Sequence, residues 1–234
     1  MNQSGTSVPS FRSINRLSKW LISWSIATII IAIISLTLQS YEILQYVFYN
    51  SIDTTTFVIN SIVASISGVI SFIATIITLI WFYRANKNIH AFGAKQISSS
   101  VMAVIWWFVL ILQLWKPYTV AQQIWKASNP QINISNGTEW EKSVGSRIIK
   151  LWWILGLLFI LVAVIGVIFK MMTVGLDNYL NPEQATQVTM ELDMFYSNFI
   201  GISLNILAIL STLFFIRMIK QVSAWQEIKA GRSV

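Results

Sequence analysis

The chain has 234 residues, no cysteine, one histidine and only nine acidic side chains. Without cysteine there is no disulfide framework, no thiol nucleophile and no cysteine-ligated metal, and nothing marks the redox compartment. The lone His90 leaves no histidine pair for a metal site or a proton relay. A glycine-rich phosphate loop, an HExxH pair and an assembled Ser/His/Asp set are missing too. The chain therefore reads as a non-enzyme with no cofactor. Glu139 and Glu141, beside Trp140 and Lys142 in a turn-rich stretch, read as solvated surface acids. Charged residues make up 11% of the sequence against 55% hydrophobic ones, where soluble domains carry roughly 25% charge. Lipid must be the solvent for most of this protein.

Lys, Arg, Asp and Glu are also absent from four long apolar stretches, about Trp20–Gln39, Phe57–Tyr83, Leu151–Phe169 and Phe199–Ile216. Each is close to or above the ~20 residues needed to cross a bilayer. The first is too long for a signal-peptide core, and Ser40-Tyr41-Glu42 offers no small-x-small cleavage site, so it reads as a retained anchor.

The uncharged Gln96–Trp115 raises the question of a fifth crossing. With the amino terminus inside, five crossings would put most cations outside. Four crossings put all but Lys170 of the 16 basic residues inside, as positively charged loops prefer. Tryptophan agrees: all 11 fall at or beyond the inner boundary, while Tyr41, Tyr46, Tyr49, Tyr179 and Tyr196 mark the outer one. The expected fold is all-α, a polytopic four-transmembrane-helix bundle with both termini cytoplasmic. An additional re-entrant or interfacial helical segment covers about 96–126, and Ser40–Thr56 forms an outer loop whose run Tyr41–Tyr49 reads as a short amphipathic helix on the head groups. Residues 1–15 are a mobile polar tail, and 16–234 a single membrane domain. Asn181 is placed to cap a helix beginning at Pro182, and the sequons at Asn133 and Asn136 are chance matches on the inner side.

Spans associate in lipid through small residues and interhelical hydrogen bonds. Candidate stripes are Ser25, Thr28, Ala32, Ser35 and Gln39 in the first span, and Asn198, Gly201, Asn205, Ala208 and Thr212 in the last. Asn198 and Asn205 are either pore-lining or ordinary bundle glue contributing ~1 kcal/mol each. No ionisable residue lies deep in a span, which argues against a pump or secondary transporter.

The most distinctive local pattern is Trp81-x-x-Arg84-Ala85-x-x-Asn88, then Trp106-Trp107-Phe108 leading to Pro117-Tyr118, then Ile124-Trp125-Lys126-Ala127-Ser128. In order and spacing it resembles the bacterial multi-pass membrane family catalogued as domain of unknown function 4328. Leu110 stands where that family has proline, and Gln113 where it has asparagine. The resemblance implies a bacterial plasma (inner) membrane and carries no established activity.

Candidate ligand- or lipid-binding residues are Trp81, Arg84, Asn88, Trp107, Gln113, Lys116, Pro117 and Tyr118. Arg84, Lys87 and His90 lie near one helix face with Asn88 on the same side. Arg84 and Asn88 read either as clamps for a phosphate head group or the Gln113 amide, or as a snorkelling cation and a helix-end amide. Trp106, Trp107 and Trp115 read as interface anchors, and Pro117 as the end of the preceding helical segment. Membrane lipids are the expected partners, with an unidentified protein or a second copy of the chain as further possibilities. Nucleic acid is not expected, because the basic residues flank apolar spans. Two functions remain open: a scaffold or accessory protein with a cationic, Trp-rich cytoplasmic face, or a small channel or transporter lined by polar faces of the second and last spans.

Overall fold

The computed structural model describes residues 10–49, 54–95, 97–134, 139–177 and 182–231, without the side chains of 54, 57, 139, 174–177 and 182–193. Most of the proposed polar tail, the third positions of both sequons and the Asn181 cap lie outside the described residues.

Every described element is helical: α1 (Asn15–Tyr49), α2 (Thr54–Ala91), α3 (Met102–Ile105), α4 (Lys116–Ser128), α5 (Arg147–Asp177) and α6 (Pro182–Lys229), with 3-10 turns at Leu112–Leu114 and Glu139–Lys142. Among the described residues four helices, α1, α2, α5 and α6, are long and apolar enough to cross a membrane. The uncharged segment after Lys95 does not make a fifth. It forms the single turn α3, irregular turns and a 3-10 turn before α4 begins.

Two expectations change. The run Tyr41–Tyr49 is helical, but it continues α1 without a break instead of forming a separate short helix. Polar Gln39, Ser40 and Glu42 mark a change of solvent, but no proline or glycine there interrupts backbone pairing. Pro117 does not close the preceding segment. It sits at the start of α4, where its missing N–H costs nothing, and is buried there. The stop after α2 is made by Gly93 at φ +94°. Its N–H donates to the His90 carbonyl and that of Ala94 to the Ile89 carbonyl, both at 3.0 Å, which satisfies the last free carbonyls of the helix.

The chain divides into two compact units. The first draws on Met1–Ser25, Phe72–Trp153 and Leu213–Val234, the second on Ile26–Ser71 and Ile154–Thr212.

In the second unit α1 meets α6 through a polar contact: Asn205 Nδ2 donates to Gln39 Oε1 at 3.4 Å. Gly201 is what permits it, because a Cβ there would lie 2.7 Å from Gln39 Nε2. Helix α5 meets α6 where Gly166 faces Ile200 and where the Phe169 and Tyr196 rings lie 4.1 Å apart. Asn198 is buried. Outward along α5 run exposed Ile160, Val164 and Val167, as a lipid-facing surface requires.

The first unit has a water-soluble protein's kind of core. Ile14, Leu21, Trp81, Phe82, Ile89, Ile124, Ile149 and Ile219 are all less than 2% exposed and pack in one cluster with Val120, Met218 and Val222. Residues 10–14 belong to this packing rather than to a free tail: Ile14 is fully buried and Phe11 stacks on Phe92 at 5.5 Å.

Candidate functional site

The motif residues converge in the first unit, around a side chain that the motif reading did not single out. Gln226 on α6 is fully buried. Its Oε1 accepts from Asn88 Nδ2 at 2.8 Å, and its Nε2 donates to the Ala85 carbonyl at 3.1 Å and to Ser128 Oγ at 3.0 Å. Asn88 completes its own set on the chain before α1, with Nδ2 donating to the Arg12 carbonyl at 2.9 Å and Oδ1 accepting from the Arg12 N–H at 3.1 Å. A buried amide is expensive unless all its groups are paired, and both amides here have both atoms engaged. The Ala85, Asn88 and Ser128 positions of the motif are therefore the sockets in which Gln226 sits, and Ala85 and Ala127 are fully buried.

A second polar knot lies about one turn earlier on α2 and α6 and takes in α1. Ser18 and Ser223 hydroxyls are 2.6 Å apart, and Trp81 Nε1 donates to Ser18 Oγ at 2.8 Å. Around it the aromatic side chains interlock. Phe82 lies edge-on to Trp107 at 5.4 Å, Trp152 stacks on Phe215 at 5.3 Å, and Trp153 stands edge-on to both Trp107 and Trp152. Trp153 Nε1 donates to the Leu114 carbonyl at 3.0 Å, which ties the irregular segment to α5. Gln122 clamps the start of α5 to α4: it accepts from the Ser146 N–H at 2.8 Å and donates to the Ser146 carbonyl at 3.0 Å.

The candidate residues fare differently. Trp81 and Asn88 are interior and fully committed within the protein. Trp107 is part of the aromatic cluster, with no partner for its indole N–H. Tyr118 packs 6.5 Å from the Trp153 ring. Gln113 sits half-buried in the 3-10 turn and is not the partner of Asn88, whose amide is occupied elsewhere. Arg84 and Asn88 do not act as one clamp, since Arg84 is exposed and Asn88 is buried. Four residues advance a helix by about 40° beyond a full turn, enough at the edge of a buried face to separate them. Lys116 reaches back over the Trp106 ring at 5.4 Å, and Lys87 over Tyr83 at 5.9 Å.

Gln226 had a legible signal. It continues, at helical spacing, the stripe of Ile219, Val222 and Ser223, while Arg217 and Lys220 are exposed. An amide on such a stripe past the end of the apolar stretch predicts a buried polar contact. Asn86 gave no such hint. It is fully buried with neither amide atom paired.

Lys229, well past the span, caps the far end of α4. Its Nζ donates to the carbonyls of Ala127, Asn129 and Ile132 at 2.9 to 3.1 Å. Burial pushes this ammonium down from 10.5 to about 8. The buried Glu227 carboxylate accepts from the Ser13 hydroxyl. Among the described residues no three His, Asp or Glu side chains come together as metal ligands do.

Four apolar crossing helices joined to a packed aromatic unit define an all-helical, multi-pass membrane protein. The chain belongs to the family described as Domain of unknown function (DUF4328), whose profile matches residues 51–224. The match covers α2 through most of α6, and with them the Ala85, Asn88, Ala127 and Ser128 positions. No curated protein and no solved structure matches the chain.

Proposed function

We propose that the protein is a non-enzymatic scaffold or accessory protein of a bacterial plasma membrane, with both termini cytoplasmic and the first unit acting as a platform for anionic lipid. The observation that carries this reading is the exterior of that unit. Phe108, Leu110 and Ile111 are 70 to 80% exposed in a run of turns that no other part of the first unit covers. An apolar run of this kind marks a membrane or partner surface. It leads directly into Lys116, and the exposed Arg84, Lys87 and Lys95 belong to the same unit. Bulky apolar residues in the acyl layer with cations at head-group level is how interfacial segments hold anionic lipid.

Asn88, Trp81 and Gln226 serve this platform by rigidity rather than contact, because their polar groups are spent inside. The channel reading has less support: Asn205 is bonded to Gln39, and an amide engaged between helices is no longer free to line a path.

The test replaces only surface cations. Arg84→Gln, Lys87→Gln and Lys116→Gln together should lower the anionic lipid that co-purifies in detergent, with the melting temperature little changed. Equal retention by the triple variant would remove the platform.

A further inference from the structure

The chain entering α1 is fastened to the first unit mainly by side chains of other elements. Residues 10–14 have no regular secondary structure. Asn88 of α2 holds both main-chain groups of Arg12, accepting from its N–H at 3.1 Å and donating to its carbonyl at 2.9 Å. The Phe11 ring stacks on Phe92, and Ile14 is fully buried. Ser13 adds a further tie. Its hydroxyl donates to the carboxylate of Glu227 on α6 and accepts from the Asn15 N–H at 3.3 Å. The two ends of that tie differ: Ser13, like Arg12, is exposed, whereas Glu227 is only 3% exposed. Lys229, two positions on, directs its ammonium to main-chain carbonyls instead.

We propose that residues 10–14 are a strap that opens as a unit while the rest of the first unit stays folded, and that the Ser13–Glu227 bond is a latch that negative charge at position 13 undoes. Proteins open locally in contiguous pieces, and the pieces that open first are those with few buried contacts and an exposed course. The strap has that character, with Ile14 its one fully buried side chain. The bonds of Gln226 to Ala85, Asn88 and Ser128, and the set joining Trp81, Ser18 and Ser223, do not run through it. Opening therefore leaves the amide network between α2, α4 and α6 in place and gives Asn88 Oδ1 and one of its N–H groups to water. The latch is sensitive to charge because the buried acceptor is a carboxylate. A hydroxyl satisfies it, a second carboxylate repels it, and a carboxylate at 13 still accepts from the Asn15 N–H, so the start of α1 is spared. Arg84, Lys87 and Lys116 take no part in these contacts, and the strap and the lipid platform stand or fall separately.

The full chain in phosphatidylcholine nanodiscs is treated with trypsin, and cleavage after Arg12 is followed by mass spectrometry. Cleavage after Arg84, within α2, reports unfolding of the unit as a whole. Ser13→Asp should speed cleavage after Arg12 by at least about tenfold, as a like charge set against a buried carboxylate does, with cleavage after Arg84 unchanged. Ser13→Ala, which only removes the bond, should fall between Ser13→Asp and the parent. Adding Glu227→Gln to Ser13→Asp exchanges donor and acceptor, since the new amide N–H donates to the new carboxylate, and should return cleavage to within about threefold of the parent. A Ser13→Asp rate no higher than that of Ser13→Ala, or no recovery in the double variant, overturns the latch. Hydrogen exchange on the unaltered chain tests the strap itself and needs no variant to fold. The Arg12 amide should exchange at least about tenfold faster than the main-chain amides of Asn88 and Gln226. Exchange of Arg12 as slow as theirs means that the segment opens only with the whole unit, and overturns the strap.

Discussion

Replacing Gln226 with leucine tests whether the buried amide network holds the first unit together. The side chains are of similar volume, so the core is neither emptied nor overfilled. What changes is polar pairing. Asn88 loses the acceptor for one N–H, and Ser128 loses the donor to its hydroxyl. The Ala85 carbonyl keeps its place in α2 and loses only a second donor. Ser128 can turn toward the carbonyl one helical turn earlier, so the main cost is the stranded Asn88 N–H. One buried unsatisfied donor costs about 1 to 3 kcal/mol, and the neutral bonds about 1 kcal/mol each. Leucine returns about 1 kcal/mol of apolar burial. The net expectation is a loss of about 2 to 3 kcal/mol. Unfolding is followed by tryptophan fluorescence, since Trp81, Trp107, Trp152 and Trp153 sit in the affected unit, with Gln221→Leu on the exposed face as control. Adding Asn88→Ala to Gln226→Leu should cost less than the two singles summed, because they share a bond. If Gln226→Leu is no less stable than Gln221→Leu, the network is not what holds α6 to α2 and α4.

The Lys229 ammonium gives a pH dependence with a definite sign. Its value falls from 10.5 to about 8 on folding, so between those limits the unfolded chain holds a proton that the folded chain has released. Stability should therefore rise from pH 8 toward 10.5, and Lys229→Met should remove that part of the rise in thermal melts. Gly201→Ala should displace the Gln39 amide, a flexible side-chain end, at a cost below about 1 kcal/mol. Asn205→Leu should then add nothing further in the same melts. Cysteine at Val144, which is 91% exposed, should label from the same side as cysteine placed at Lys229 or Lys95; labelling from opposite sides would refute the shared compartment of these segments.

What was readable from the chain follows from what sets each feature. The four crossings are written in charge-free length, which depends on bilayer thickness and needs no knowledge of partners. The refusal of the segment after Lys95 to form a fifth helix was readable from the sorting of cations, although the proline that would have announced a break is absent at Leu110. Packing makes that break: Trp107 turns into the cluster with Phe82, Trp152 and Trp153 while Phe108 and Leu110 stay outside. The roles of Asn88 and Trp81 were not readable, because their partners are remote in sequence. Asn88 meets Gln226 across 138 positions and Arg12 across 76. Helical periodicity says which face an amide occupies but not what awaits it.

The discontinuous make-up of the first unit has a consequence for biogenesis. Its core takes strands of sequence from before residue 25, from the middle of the chain and from beyond residue 213. Ribosomal synthesis delivers α2 with Trp81 and Asn88 long before Gln226 and Ser223 exist to cover them. A nascent chain halted ahead of α6 thus presents unsheltered amides and indoles, the kind of surface that chaperones and quality-control proteases engage, and release of the last helix is the event that withdraws it.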